Sequence, residues 1–184
     1  MYQQRWLESA LAREFFLVVT FNLLLIATAQ ISIPLAAGVP ITGQTFGVLL
    51  TAMALGRIRG VGVIALYLAE GAAGLPVFAS GGAGPATFLG PTGGYLLGFL
   101  ASAWLVGTLA DRGWDRSYVK SQVALTAGTA LIFVCGLAWL SQVVSGDELL
   151  AAGLYPFLSG AALKIAAAFW LLPQTAKLIG KQRP

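Results

Sequence analysis

Long apolar runs, separated by short segments that hold nearly all the charge, restrict this chain more than any other feature of its sequence. A bilayer asks for about 20 consecutive, mostly apolar residues per helical span. Residues 15–33 meet that length, with Asn22 and Gln30 as polar interruptions and Pro34 as the stop. Ahead of them, residues 1–12 read as a short interfacial helix with Trp6 and Leu7 on one side. Residues 44–56 and 61–73 read as two shorter spans turned around by Arg57-Ile58-Arg59-Gly60. Residues 89–110, 121–144 and 154–176 form a fourth, fifth and sixth span, with 35–43 and 145–153 as loops and 111–120 as a charged connector. The expectation is an all-α, polytopic membrane protein with six transmembrane helices, forming one domain over residues 1–184 in the cytoplasmic membrane. Composition agrees: 58% of residues are hydrophobic and 10% charged, against about a quarter charged in soluble domains. The first residues lack a small-residue cleavage site, so no cleaved signal peptide is expected.

Charge tests the span count independently. Six spans place the N-terminus, the 57–60 turn, the 111–120 connector and the C-terminus on one side. Those segments carry every Lys and Arg of the 11 in the chain except Lys164. The opposite loops carry none, and one of them holds Asp147 and Glu148. The positive-inside rule therefore predicts that both termini are cytoplasmic.

Composition also removes whole classes of function. The net charge of +4 comes from basic residues spread in pairs, not from one clustered face, so a nucleic-acid partner is not expected. With no histidine and one cysteine, Cys135 in an apolar run, the chain has no internal disulfide, no Cys/His metal site and no His-dependent triad. An intramembrane enzyme would need a nucleophile with a base, or a metal set, and no cofactor is expected.

From the end of the third span into the fourth runs a glycine-rich, proline-punctuated stretch, residues 71–99, whose only ionisable side chain is that of Tyr95. Ordinary loops carry polar residues to meet water. This one carries Leu75, Val77, Phe78 and Phe88, which predicts that it folds back over apolar surface or a ligand. Irregular backbone at membrane depth survives only against protein or a cavity. Within it, Gly90-Pro91-Thr92-Gly93-Gly94 lacks the Gly-Lys-Ser/Thr ending of a phosphate loop. It reads as close backbone packing at a helix start, as a pocket wall, or as both.

Two charges fall inside spans. Lys164 lies about 15 Å from the outer end of the sixth span, and Glu70 rises about 16 Å from the inner surface, so the two can share a depth. Intramembrane charges default to a functional reading; the alternative is a structural ion pair. Gly160, Ala161, Ala167 and Ala168 share a helix face with Lys164. They either let another helix approach closely or leave space beside its ammonium, and the lysine favours a cavity suited to a ligand carboxylate or a polarised carbonyl. Gln44, Thr45, Thr92 and Tyr95 add the neutral polar groups that a small amphipathic ligand needs, although each could equally serve an interhelical hydrogen bond.

Several of these segments resemble one family. Val39-Pro40-Ile41-Thr42-Gly43-Gln44-Thr45-Phe46-Gly47-Val48-Leu49-Leu50, Gly71-Ala72-Ala73-Gly74-Leu75-Pro76-Val77-Phe78-Ala79, Gly90-Pro91-Thr92-Gly93-Gly94-Tyr95-Leu96-Leu97-Gly98-Phe99 and Pro156-Phe157-Leu158 through Lys164 are similar to the BioY family of biotin-binding S components of energy-coupling-factor transporters. The resemblance implies six membrane helices with cytoplasmic termini and capture of biotin from outside. It also implies work with a transmembrane coupling subunit and paired cytoplasmic ATPases. The first span lacks the Ala-x-x-x-Ala docking motif, and Thr20, Ala27, Thr28, Ala29 and Ser32 offer small surface without marking one docking face. The family's last motif commonly reads Gly-Asp-x-x-Lys, both charged residues contacting biotin. Here it reads Gly160-Ala161-Ala162-Leu163-Lys164, so the lysine stays, the acid is lost, and Glu70 is a substitute acceptor by depth. An autonomous carrier for biotin or a similar small carboxylate is the alternative reading.

The charge pattern makes a direct prediction. A cysteine replacing Gly82 should react with a membrane-impermeant thiol reagent in intact cells, and one replacing Arg116 only after permeabilisation. The reverse pattern would overturn the topology.

Overall fold

The computed structural model describes residues 2–35, 39–144, 146–158 and 160. The first helix, α1 (Tyr2–Gln30), is continuous. The short helix expected over residues 1–12 thus runs without a break into the first span, because no glycine or proline interrupts residues 1–33. The span ends three residues earlier than expected. Ser32 and Ile33 leave the helix as strand β1 and pair antiparallel with β2 (Ile41–Thr42), Ser32 opposite Thr42 and Ile33 opposite Ile41. Pro34 stops the helix, and the strand pair satisfies backbone groups that a bare loop would leave open at the membrane surface.

Helix α2 (Gln44–Ala72) is two limbs, not one rod. Gly56 takes φ 77° and ψ −175°, a conformation open essentially to glycine alone. A Cβ on Gly60 would sit 3.0 Å from the Ala52 Cα, and Gln44 Nε2 lies 2.7 Å from the Tyr67 hydroxyl. In a straight helix residues 23 apart would be about 35 Å apart. The chain therefore reverses at Gly56, giving the two short spans expected from sequence, with the turn one residue before Arg57. Asp111 holds the turn: its Oδ2 accepts the Arg57 backbone N–H at 3.0 Å, meeting a free donor at the start of the second limb. Beside it, Arg59 donates two hydrogen bonds of 2.6 Å to the Glu14 carboxylate, tying α1 to the same end.

The central element is α4 (Gly93–Asp111), which lies mainly against α2 on one side and α5 (Tyr118–Leu140) on the other. The expected fourth span starts later than residue 89, because Gly90 leaves helical geometry after a short turn, α3 (Ala86–Leu89). Residues 146–153, expected as loop, form helix α6 (Gly146–Gly153). Its acidic first turn, Asp147-Glu148, favours a helix N-terminus. The sixth span expected over residues 154–176 lies almost wholly outside the described residues.

The core runs between α2, α4 and α5 through Leu49, Met53, Ile64, Val106, Leu125 and Ile132, each 2% exposed or less. By contrast, α1 presents Leu11, Phe15, Phe16 and Leu23 outward, as a lipid-facing helix does. Thr28 and Ala29 are buried against the rest of the fold, whereas Thr20 and Ala27 are exposed.

Gly56→Ala should destabilise the protein by about 1–3 kcal/mol, since the residue would need a forbidden conformation and its Cβ would meet the Asp111 carboxylate. A thermal midpoint in detergent equal to that of the unmodified protein would show that the turn does not depend on glycine.

Candidate functional site

The segments at the outer ends of the helices enclose a cavity of about 290 Å³. One wall comes from the chain after α1: Pro34, Leu35, Val39 and Pro40, then Thr42, Gln44 and Thr45 at the start of α2. The glycine-rich stretch supplies Phe78, Ala79, Ser80 and Thr87. Helix α4 brings Thr92, Tyr95, Leu96 and Phe99, and Ile132, Phe133 and Phe157 close the far side. Four sequence-predicted site residues, Gln44, Thr45, Thr92 and Tyr95, thus come together in one wall system.

Each of them is held for a physical reason. Gln44 is 6% exposed; its Oε1 accepts the Thr42 hydroxyl at 3.1 Å and its Nε2 donates to the Tyr67 hydroxyl at 2.7 Å. Thr45 is half-buried and lines the cavity with no side-chain hydrogen bond among the described residues. Thr92 makes one long contact, 3.4 Å, to the Thr87 carbonyl. Tyr95 donates its proton to the Gly153 carbonyl at 2.8 Å, which leaves its oxygen as an acceptor. A Cβ on Gly136 would run into the Tyr95 ring, so glycine there is what lets the ring lie flat against α5.

The glycine-rich stretch folds back as its composition predicts. Val77 and Phe78 are buried at 7% and 1% exposure, whereas Leu75 remains 51% exposed. The Phe78 ring occupies the space that a side chain at Gly71 would fill. It meets Tyr67 and Phe88 edge-on, with centroids at 5.4 and 5.6 Å, a favoured aromatic geometry. Gln30 donates to the Phe78 carbonyl at 3.2 Å, and the Ser32 and Ser80 hydroxyls meet at 2.9 Å. The cover is therefore tied to α1 and β1 as well as to α2. Gly94 lets Trp139 approach α4 closely, and the Trp139 indole donates to the Gly90 carbonyl at 3.0 Å. Both readings of the Gly90–Gly94 segment hold: close packing at its glycines and a cavity wall at Thr92.

Glu70 stands elsewhere. It does not line the cavity; its carboxylate accepts Asn22 Nδ2 at 2.8 and 2.9 Å, linking the second limb of α2 to α1. Lys164 and Ala161 lie outside the described residues. Among the described residues, Tyr95 is the only ionisable side chain lining the cavity, and no cluster of His, Cys, Asp or Glu could hold a metal ion.

Sequence reasoning missed Ser80, Phe133 and Phe157 in the wall and Tyr67 behind it. Phe133 and Phe157 sit in apolar runs where an aromatic reads as ordinary core. Only the proximity of Ser80 to Phe78 in the apolar loop could have flagged it. The chemistry of the whole is a small, largely apolar chamber with a few oriented hydroxyl and amide groups. It suits binding a compact amphipathic molecule.

Comparison with known proteins converges on the same kind of molecule. Residues 2–181 match the BioY family. A biotin transporter BioY of Thermotoga maritima is 36% identical over 159 residues, spanning 86% of this chain and 92% of that protein. A probable biotin transporter BioY of Pyrococcus horikoshii is 36% identical over 157 residues, spanning 85% and 92%. In three dimensions the chain resembles the crystallised S-component for biotin from an ECF-type ABC transporter, with a TM-score of 0.83 over 92% of this chain and 93% of that one. At 24% identity this last likeness speaks for the fold.

Proposed function

The chain belongs to the BioY family, and from that premise we propose that it captures biotin at the outer face of the cytoplasmic membrane as the substrate-specific subunit of an energy-coupling-factor transporter. The observation that carries this reading is the outer cavity: about 290 Å³, apolar on most sides, with amide and hydroxyl groups concentrated around Gln44, Thr45 and Tyr95. Biotin has matching parts, a bicyclic body with a polar ureido edge and an acyl chain ending in a carboxylate. The apolar body is stabilised by Phe78, Phe99 and Phe133, and the neutral polar groups meet the ureido edge. The carboxylate needs a cation, and Lys164 is the basic residue in the spans that we assign to it. Glu70, bonded to Asn22 away from the cavity, serves the α1–α2 contact in this reading, and the acceptors for the ureido N–H groups are the Thr45 and Tyr95 oxygens.

Captured substrate must then cross the membrane, and the chain carries no nucleotide-binding motif to drive that step. The transport work falls to a transmembrane coupling subunit with paired cytoplasmic ATPases, and lipid surrounds the exposed face of α1.

Lys164→Met, which keeps the side chain's length and removes its charge, should weaken biotin binding by about ten- to a hundredfold without loss of expression. Titration calorimetry on the purified protein measures this directly. Unmodified affinity in Lys164→Met would remove the lysine from the site and leave recognition to the neutral groups alone.

A further inference from the structure

Tyr67 does not line the cavity and is fully buried, yet its hydroxyl lies between two groups that matter to the site. On one side is Gln44 Nε2 at 2.7 Å, on the other the Val77 carbonyl at 3.0 Å. The Val77 carbonyl also accepts Gln30 Nε2 at 3.4 Å. A carbonyl can only accept, however, and two oxygens 3.0 Å apart need a proton between them, so the single Tyr67 proton is committed to Val77. The Tyr67 oxygen must then accept from Gln44, which turns the Gln44 amide so that nitrogen faces Tyr67 and Oε1 faces the Thr42 hydroxyl. Nε2 has a second proton, and among the described residues it has no acceptor. We infer that Tyr67 is a positioning residue that fixes the polarity of the Gln44 amide, so that this wall offers the ligand a donor and selects a ligand with a carbonyl acceptor at that point.

The assignment follows from the hydrogen-bond chain and does not depend on which amide atom is drawn as nitrogen. Were the amide reversed, Oε1 would face an oxygen whose proton is already taken, and two acceptors would meet in a buried site. Val77 cannot yield, because its amide is held by Leu75 at 2.8 Å and the neighbouring Phe78 ring is set between Tyr67 and Phe88. The inference rests on the biotin reading above. With the carboxylate assigned to Lys164, the ureido carbonyl is the acceptor left for Gln44.

The test compares dissociation constants for biotin and 2-iminobiotin, in which a protonated imino group replaces the ureido carbonyl oxygen and offers donors where biotin accepts. The unmodified protein should prefer biotin strongly. In Tyr67→Phe the Gln44 amide is free to reverse and present Oε1, so the preference should shrink by about tenfold or more. A merely structural role for Tyr67 would weaken both ligands alike and leave the ratio unchanged, which would overturn the inference while the biotin reading stood. If Tyr67→Phe does not accumulate, Gln44→Ala must narrow the same ratio by removing the donor outright, and an unchanged ratio there overturns the inference too. Absence of saturable biotin binding by the unmodified protein would overturn the proposed function and this inference with it.

Discussion

The structure depends on how the backbone of the glycine-rich cover is satisfied. A stretch without regular secondary structure leaves N–H and C=O groups unpaired, and at membrane depth water cannot meet them; each costs about 1–3 kcal/mol if it is left alone. Here the helices supply the partners. The Val77 carbonyl accepts from Tyr67, Gln30 reaches the Phe78 carbonyl, and the Gly84 amide donates to the Gly71 carbonyl at 2.7 Å. Polar residues inside otherwise apolar spans thus serve the cover. Because the cover is held from α1 and α2 at once, it can stand over a chamber without collapsing into it.

The chamber exists because α2 turns back. Reversal at Gly56 makes two short limbs, and their outer ends bring Gln44 and Tyr67 side by side. Helix α4, between that hairpin and α5, carries Thr92 and Tyr95 to the same level. The inner end is fixed by charge, through Asp111 at the turn and the Arg59–Glu14 pair. The outer end is fixed by aromatic rings set against glycines. The fold is thus tied together at the turn end and hollow at the other.

Much of this was legible in the sequence, for reasons that can be named. Span positions and orientation follow from solvation physics, since a lysine or arginine in hydrocarbon is costly wherever it stands. The apolar character of the cover showed in Val77 and Phe78 before any coordinates. Other features depend on neighbours that are distant in sequence. Nothing local marks residues 32–33 and 41–42 as a strand pair, or Asn22 as the partner of Glu70, 48 residues away. Depth alone suggested that Glu70 and Lys164 could meet; the structure shows the Glu70 carboxylate accepting Asn22 of α1, and Lys164 lies outside the described residues. Tyr67 reads as core in a run of apolar residues, and only its hydroxyl's two partners give it a role.

The central proposal is that this chain is a capture subunit, which binds biotin by itself and leaves its accumulation to partner subunits. The most direct measurement reconstitutes the purified chain alone in sealed vesicles and follows labelled biotin added outside. The account predicts saturable binding of one biotin per outward-facing chain, with no accumulation in the lumen under any ion gradient. Accumulation driven by a gradient, or no saturable binding at all, would contradict it.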